Sequence, residues 1–595
     1  MKLPGSLGRQ GLVVGLLTAA GLALRVSLWD SQSIPSVDGT AYLRIARSFA
    51  GEPAVATVHQ LGYPFLVFAL HAVAGDWILS ARLVALLFGV ALVPLVWILT
   101  AQHVRSPLLR ALPAAAVAFL PTTVRYSLTT MTETPYLALL FLTFIGAARG
   151  RWFLAGLAGG LAYAVRPEAL LAVGVLALTK LKDLRAWPRI AAGALLVVVP
   201  YVVLVGLAEG RWTLSQKTMD LAPADWREVE RRVGEEDAAP GLGARWRRFG
   251  PEILRGTPER AVRIGVETLR HGGYVVPFAG LAGIAASPGL LGGIAYLVLL
   301  PLTFIGPRAR YVVPALPFFW ILAAACLDRV KRRWLRLALL AACAAGLAAT
   351  AYFQRAGYVT NEDGSFPELV KAGTWLGERA APGSLVYDRK PYTAYFAGAA
   401  AGTVPTGTYR EVLDALVDEG ADYLVAHEGV LRVFRPELLP LVLDLGTIEN
   451  ESRVRPVYHD VSESGFRTIL YRVVRPGGPS PLAEEAAIGA SLAGIPHADR
   501  HFEHGVLAVL GGDCEAGARE LGWALEADPG NREALLARAR CLMDLGADPG
   551  EVLDHLRRAE RLAPGDPLVL EYLVSGLRYA GQTEEAERVR GRPGP

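Results

Sequence analysis

Cysteine is scarce in this chain: four residues in 595, with no CxxC and no Cys/His cluster, which argues against a structural zinc site. Cys326 and Cys343 lie in apolar runs, where cysteine packs as a small hydrophobe. Cys514 and Cys541 are candidates for a disulfide outside the cytoplasm, and the sequence leaves their pairing open. Charge is scarce too. Only 19% of residues are Asp, Glu, Lys or Arg, against roughly 25% in soluble proteins, while 52% are hydrophobic and mean hydropathy is +0.33. That balance excludes a wholly soluble chain and predicts a membrane protein with a soluble portion attached. A net charge of +4, with no strongly basic stretch interleaved with aromatics, excludes a nucleic-acid partner. No A-x-A cleavage site follows the first apolar run, although Lys2 and Arg9 flank it, so the run is read as a retained helix. The excess of Arg and Ala over Lys and Ile fits a GC-rich bacterial genome.

What the chain has in abundance is apolar sequence. Eleven runs suit membrane helices, near 11–28, 77–101, 108–124, 135–148, 152–164, 168–181, 189–208, 273–286, 288–305, 311–328 and 335–353. Several are shorter than the roughly 20 residues of a full span. Cytoplasmic loops carry the Lys and Arg, and alternate loops here hold Arg105 and Arg110, Arg149 and Arg151, Lys180 to Arg189, and Arg329 to Arg336. This predicts a cytoplasmic N-terminus in a bacterial inner membrane. The remaining loops, and everything after residue 354, then face the extracytoplasmic side. Arg125, Arg166, Arg308 and Arg310 break the trend by falling on the outer side, either snorkelling to headgroups or sharing a pocket for an anion.

The outer loop 209–272 is charged and amphipathic and is expected to lie on the membrane surface as short helices. Beyond 354 the pattern changes. "GSLVYD", "DYLVAHE" and "GFRTILYRVV" read as strands between helical stretches, which predicts a small α/β domain over 355–475. A Pro/Gly linker over 476–490 follows. In 491–595, Gly512, Gly546 and Gly581 recur at 34 and 35 residues, and "EADPGN" aligns with "LAPGDP". That is the tetratricopeptide period, a helical repeat that commonly leaves a groove for a protein partner.

Chemistry-bearing residues cluster in the outer loops of the membrane domain, 1–354. "PSVDGTAYLRIARSFAGEP" holds the lone acid Asp38 ahead of Tyr42, "HQLGYP" holds His59 and Tyr63, "TMTETPY" holds Glu133, and "VRPEA" holds Arg166. "GPRARYVVPALP" holds Arg308, Arg310 and Tyr311. Plain readings stand beside each. Asp38 suits the N-cap of a helix starting at Gly39, Glu133 suits a helix start before Pro135, Tyr311 suits an interfacial aromatic belt, and His59 suits a loop.

Taken in order and by membrane side over residues 10–330, these motifs resemble the GT-C glycosyltransferases, in the branch of protein O-mannosyltransferases and the lipid A aminoarabinose transferase. The small α/β segment also resembles the outer domain of many bacterial members. The resemblance implies sugar transfer from a polyprenyl-phosphate donor, with inversion, to a hydroxyl of a lipid, glycan or protein acceptor. It implies Asp38 as base, Glu133 as a second acid that orients the acceptor, assists Asp38 or helps hold a metal, and Arg166, Arg308, Arg310, Tyr311 and Arg125 at the donor phosphate. It further implies that His59, Tyr63 and Tyr42 line the pocket. Many members carry two adjacent acids where this chain has Asp38 followed by Gly39. The loss of the second hard ligand argues for transfer without a divalent metal or other cofactor. A carrier or flippase for a lipid-linked sugar is the competing reading, with the repeats as an interaction module.

Overall fold

The computed structural model describes residues 5–52, 59–179, 185–209, 242–295, 309–358, 366–405, 407–443, 451–462, 466–483, 497–510 and 512–590, with Trp212, Leu214, Leu297, Glu485, Ile488 and Leu492. Described residues up to Phe366 form one compact unit, and those from Pro367 onward form a second.

The first unit is helical, as its apolar runs require: in a bilayer every backbone polar group needs an internal partner. Its first ten helices are α1 Gly5–Ser27, α2 Val37–Ser48, α3 Gly62–Ala74, α4 Trp77–Thr100, α5 Pro107–Phe119, α6 Pro121–Tyr126, α7 Glu133–Ala148, α8 Trp152–Val165, α9 Ala169–Leu178 and α10 Ala186–Glu209. Later come Leu242–Gly272, Val276–Gly283, the short turn Ala309–Val312, Leu316–Arg329 and Arg333–Phe353. Five described helical stretches are long and apolar enough to cross a membrane, and five more are apolar but only 10–17 residues long. This is a multi-pass membrane protein.

The eleven apolar runs do not map one to one onto helices. The expected first outer loop contains α3, a 13-residue apolar helix that carries Tyr63. The stretch 242–272 is one 31-residue helix rather than several short ones, and it runs through Pro251 and Pro258. The run 108–124 breaks at Leu120–Pro121, because proline cannot continue the hydrogen-bond ladder. That break frees carbonyls inside an apolar bundle, and side chains take them up. Arg25, fully buried in α1, donates to Ala118 O at 3.0 Å and Val117 O at 3.1 Å, Thr123 to Val117 O at 3.0 Å, and Tyr358 to Phe119 O at 2.6 Å. α8 and α10 touch backbone to backbone: a Cβ at Gly156 would lie 2.0 Å from Ile190 O, and one at Gly193 2.1 Å from Phe153 O. Small residues of this kind let membrane helices associate closely.

In the second unit, β1 Leu385–Tyr387, β2 Ala400–Gly402, β3 Tyr423–His427, β4 Val454–Val461 and β5 Arg467–Val473 form one sheet in the order β2-β1-β3-β5-β4. The pairs β2–β1 and β1–β3 are parallel, and β5 is antiparallel to both its neighbours. The three expected strands are β1, β3 and β5. β2 carries only Ala and Gly, and β4 is an edge strand bulged at Pro456, so neither has a strong strand pattern.

Six further helices follow, His497–Leu510, Cys514–Ala527, Arg532–Asp544, Pro549–Leu562, Pro567–Tyr579 and Thr583–Arg590, each packed on the next. Their starts at 497, 532 and 567 are 35 residues apart, matching the sequence period. Gly512, Gly546 and Gly581 have φ of +81°, +70° and +75° and turn the chain between the paired helices, a conformation open to glycine. Leu492 and Val506 join the core beneath the sheet, so the repeat helices and the α/β domain share apolar packing. The Pro/Gly stretch between them is tied down by Arg472, which pairs with Glu485 and donates to Pro479 O at 3.2 Å. All four cysteines are free.

Asp388, immediately after β1, is buried, and burial pushes its carboxyl up to about 6 despite the opposing backbone N–H bonds from Lys390 and Thr393. An acid held above its unfolded value stabilises the fold fully below that value, here 3.8, and loses the contribution as pH rises through about 6. Two units correspond to at most about 3 kcal/mol. Amide protection of β1 and β3 in the full chain, corrected for intrinsic exchange, is therefore expected to fall between about pH 4 and 6 and to level off above. Asp388→Asn is expected to flatten that slope; an unchanged slope in the variant rejects the assignment.

Candidate functional site

The outer-loop residues are set by the first turn of α2. Ser36 caps the helix, its hydroxyl accepting from Gly39 N at 3.1 Å. Asp38 is therefore not the N-cap that the sequence suggested. It lies inside the first turn, where a carboxylate suits the helix dipole, and its side chain remains available for an ion pair. The turn is pressed onto the segment before α7. Ser36 N donates to Thr130 Oγ1 at 3.3 Å, the Ser36 hydroxyl meets Met131 Sδ at 2.9 Å, and a Cβ at Gly39 would lie 1.9 Å from Thr130 Oγ1. A side chain at position 39, a second carboxylate included, would have to displace Thr130.

Asp38 pairs with Arg310 at 2.7 Å, and both keep some contact with solvent, at 26% and 17% exposure. Arg310 lies in the short turn Ala309–Val312; its other terminal nitrogen donates to the Tyr311 hydroxyl at 2.7 Å, and its guanidinium sits 4.8 Å from the Tyr311 ring centre. A second acid–arginine pair lies deeper. Glu133 begins α7 and pairs at 2.8 Å with Arg166, the residue that ends α8 in extended conformation. Glu133 is 1% exposed and Arg166 8%. Arg166 also reaches Glu168 at 3.4 Å and lies 5.7 Å from the Tyr136 ring. Burial works against the charge on Arg166, but Glu168 and then Glu133 outweigh it and hold the guanidinium firmly protonated. Glu168 itself sits at the start of α9.

Tyr42 lies within electrostatic reach of both pairs. Burial first, then the Asp38 and Glu133 carboxylates, push its hydroxyl well above the usual tyrosine range, while Arg166 and Arg310 pull the other way. All four charged groups therefore act on one buried phenol. The Tyr42 ring centre lies 4.7 Å from that of His59 and 5.2 Å, edge-on, from that of Tyr63. Tyr63 is fully buried, and its hydroxyl donates to Ala81 O on α4 at 3.1 Å, so it supports the site from beneath. A Cβ at Gly62 would come within 2.5 Å of Ala164 O, which sets α3 against the end of α8 beside Arg166. Buried Gln60 accepts from Tyr201 of α10, and Tyr163 of α8 donates to Leu214 O at 2.7 Å.

Of the residues singled out in the sequence, Asp38, Tyr42, His59, Tyr63, Glu133, Arg166, Arg310 and Tyr311 come together here. Arg125 is buried on α6, donating to the Tyr126 hydroxyl at 3.1 Å with its guanidinium 4.8 Å from that ring. Arg308 lies outside the described residues. The sequence reading passed over Ser36 and Thr130, which with Gly39 hold Asp38 in place; the run of hydroxyls in "SLTTMTET" was the available hint.

No protein-family model matches the chain, and no curated protein does. Among solved structures it is similar to ArnT from Cupriavidus metallidurans bound to undecaprenyl phosphate, at 13% identity and a TM-score of 0.50, over 79% of this chain and 100% of that one. The apo state of the same ArnT matches at 12% identity and a TM-score of 0.48, over 77% and 97%. At this identity the likeness to the lipid-bound structure is one of fold. The chain has an ArnT-like membrane fold.

Because position 39 abuts Thr130, Gly39→Ala is expected to cost about 1–3 kcal/mol through overpacking, and Gly39→Asp more. Thr130→Ala, which removes the nearest atom, is expected to recover part of the loss. Thermal unfolding in detergent checks the series; a Gly39→Asp protein as stable as the parent rejects the steric account.

Proposed function

We propose that this protein is an integral-membrane glycosyltransferase of the GT-C type. It transfers a sugar from a polyprenyl-phosphate donor to an acceptor hydroxyl on the extracytoplasmic face of a bacterial inner membrane. The observation that carries this reading is the convergence of two acid–arginine pairs, Asp38–Arg310 and Glu133–Arg166, on Tyr42. The ArnT-like fold supports it, and the lipid in that ArnT structure, undecaprenyl phosphate, is the donor's carrier class.

Asp38 is the base in this reading. A hydroxyl is a weak nucleophile until a carboxylate takes its proton, and of the acids in the two pairs Asp38, not Glu133, has solvent access. The acceptor oxygen attacks the anomeric carbon from the face opposite the phosphate, the carbon–oxygen bond to phosphate breaks, and the configuration inverts. The bonding pair leaves on the phosphate, whose growing charge Arg310 meets with its planar fork of donors. Arg308 is proposed as a further phosphate contact, and Arg125 as a less direct one. Glu133 is too buried to exchange protons freely; held by Arg166, it orients the acceptor through Tyr42 and His59. Because a second carboxylate at position 39 would have to displace Thr130, the transfer is proposed to run without a divalent metal. The helices from His497 onward are proposed to form a tetratricopeptide-like module that docks the acceptor or a partner protein, extracytoplasmic like the α/β domain.

Asp38→Asn in the purified protein is expected to slow sugar release from a synthetic polyprenyl-phosphate donor by about 10²–10⁴-fold, the usual contribution of a general base. Undiminished release rejects Asp38 as base. Absence of turnover by the parent with any such donor favours a carrier of lipid-linked sugar instead.

A further inference from the structure

We propose that the base is switched on by the donor itself: Asp38 is held by Arg310 at rest, and the donor phosphate releases it by taking Arg310 in its place. This rests on the functional reading above and adds an order of events to it.

The resting geometry motivates the exchange. Asp38 Oδ2 lies 2.7 Å from an Arg310 terminal nitrogen, and the other terminal nitrogen is 2.7 Å from the Tyr311 hydroxyl. A carboxylate engaged by a guanidinium is a weaker proton acceptor than the same carboxylate released, because the neighbouring cation favours its charged form. As built, the site therefore holds its base in a quiet state. Arg310 is the member that can let go. Its long, rotatable side chain reaches Asp38 from the first turn of a helical stretch that continues to Arg329, whereas the short Asp38 side chain lies in a 12-residue helix whose first turn is clamped by Ser36 and the Gly39–Thr130 contact. The deeper pair differs: Glu133 and Arg166 are almost excluded from solvent, and Arg166 has Glu168 as a second acid, so that pair keeps its geometry.

A polyprenyl-phosphate sugar is a phosphodiester with one negative charge, and its oxygens match a guanidinium fork better than a single carboxylate oxygen does. When the phosphate engages Arg310, Asp38 loses its cation and becomes able to accept the acceptor's proton. In the transfer, that proton goes to Asp38, the acceptor oxygen bonds to the anomeric carbon, and the carbon–phosphate oxygen bond breaks. The departing phosphate becomes a monoester with a second negative charge, which strengthens its hold on Arg310 during the reaction, when the interaction counts. Once the lipid phosphate leaves and Asp38 returns its proton to water, the pair re-forms. Donor-first order follows, and without donor the site does not activate an acceptor.

The test uses the full-length protein in nanodiscs with undecaprenyl phosphate as the probe. Carbodiimide-driven amine coupling to Asp38 is quantified by peptide mass spectrometry, and lipid retention is read by native mass spectrometry. Coupling at Asp38 is expected to rise about tenfold with bound lipid, the change corresponding to about one pK unit. Arg310→Gln is expected to show the high level with or without lipid, and Arg310→Lys, which keeps a cation and guards against misfolding of the first variant, an intermediate level that still responds. Coupling that stays flat or falls while the lipid is retained overturns the exchange and leaves the functional reading standing. Failure of the parent protein to retain undecaprenyl phosphate overturns both.

Discussion

The contact between Gly39 and Thr130 governs the candidate site. With a hydrogen in place of a side chain, the first turn of α2 lies directly on the segment leading into α7, and Ser36 locks it there from both its backbone and its hydroxyl. Two consequences follow from one close approach. Asp38 is carried to a fixed place beside Arg310, and a second acid at the neighbouring position would have to displace Thr130. The same segment leads into Glu133, so the helix bearing the outer acid and the helix bearing the inner one are registered against each other.

Charge in this unit is arranged as pairs. An isolated ion in an apolar bundle is expensive, and removing one partner of a buried pair leaves the other uncompensated. Glu133 and Arg166 meet that constraint with Glu168 in support, while Asp38 and Arg310 meet it with partial solvent access. Tyr42 lies in the field of both pairs, so a change in either is felt at the same hydroxyl. Arg25 obeys the same rule in a structural setting. It supplies donors to carbonyls near a proline break that the bilayer would leave unsatisfied, which explains a fully buried arginine in an apolar first helix.

Much of the architecture was legible. Hydropathy marked most of the membrane helices, short apolar stretches between helical patterns marked β1, β3 and β5, and the glycine period marked the turns at Gly512, Gly546 and Gly581, where φ is positive. The misses share a cause, since each turns on contacts between segments distant in sequence. The apolar helix α3 was hidden in a stretch read as loop, and a stretch read as short helices holds one 31-residue helix. The Ala- and Gly-only β2 exists because β1 offers it a parallel partner. Within the site, residue types were readable from the loops, but partners were not: Arg166 and Arg310, read as snorkelling or as sharing an anion pocket, hold carboxylates.

By itself, then, the sequence determined that the chain enters a membrane many times, which loops carry acids and arginines, and that a strand-bearing domain and a helical repeat follow. These are matters of composition and period, which act locally along the chain. Tertiary structure alone decided that Ser36 and not Asp38 caps α2, that a side chain at position 39 would displace Thr130, and that the four charged groups form two pairs whose fields both reach Tyr42. Those outcomes rest on distances of a few ångströms between residues up to 272 positions apart, and neither spacing nor hydropathy encodes such distances.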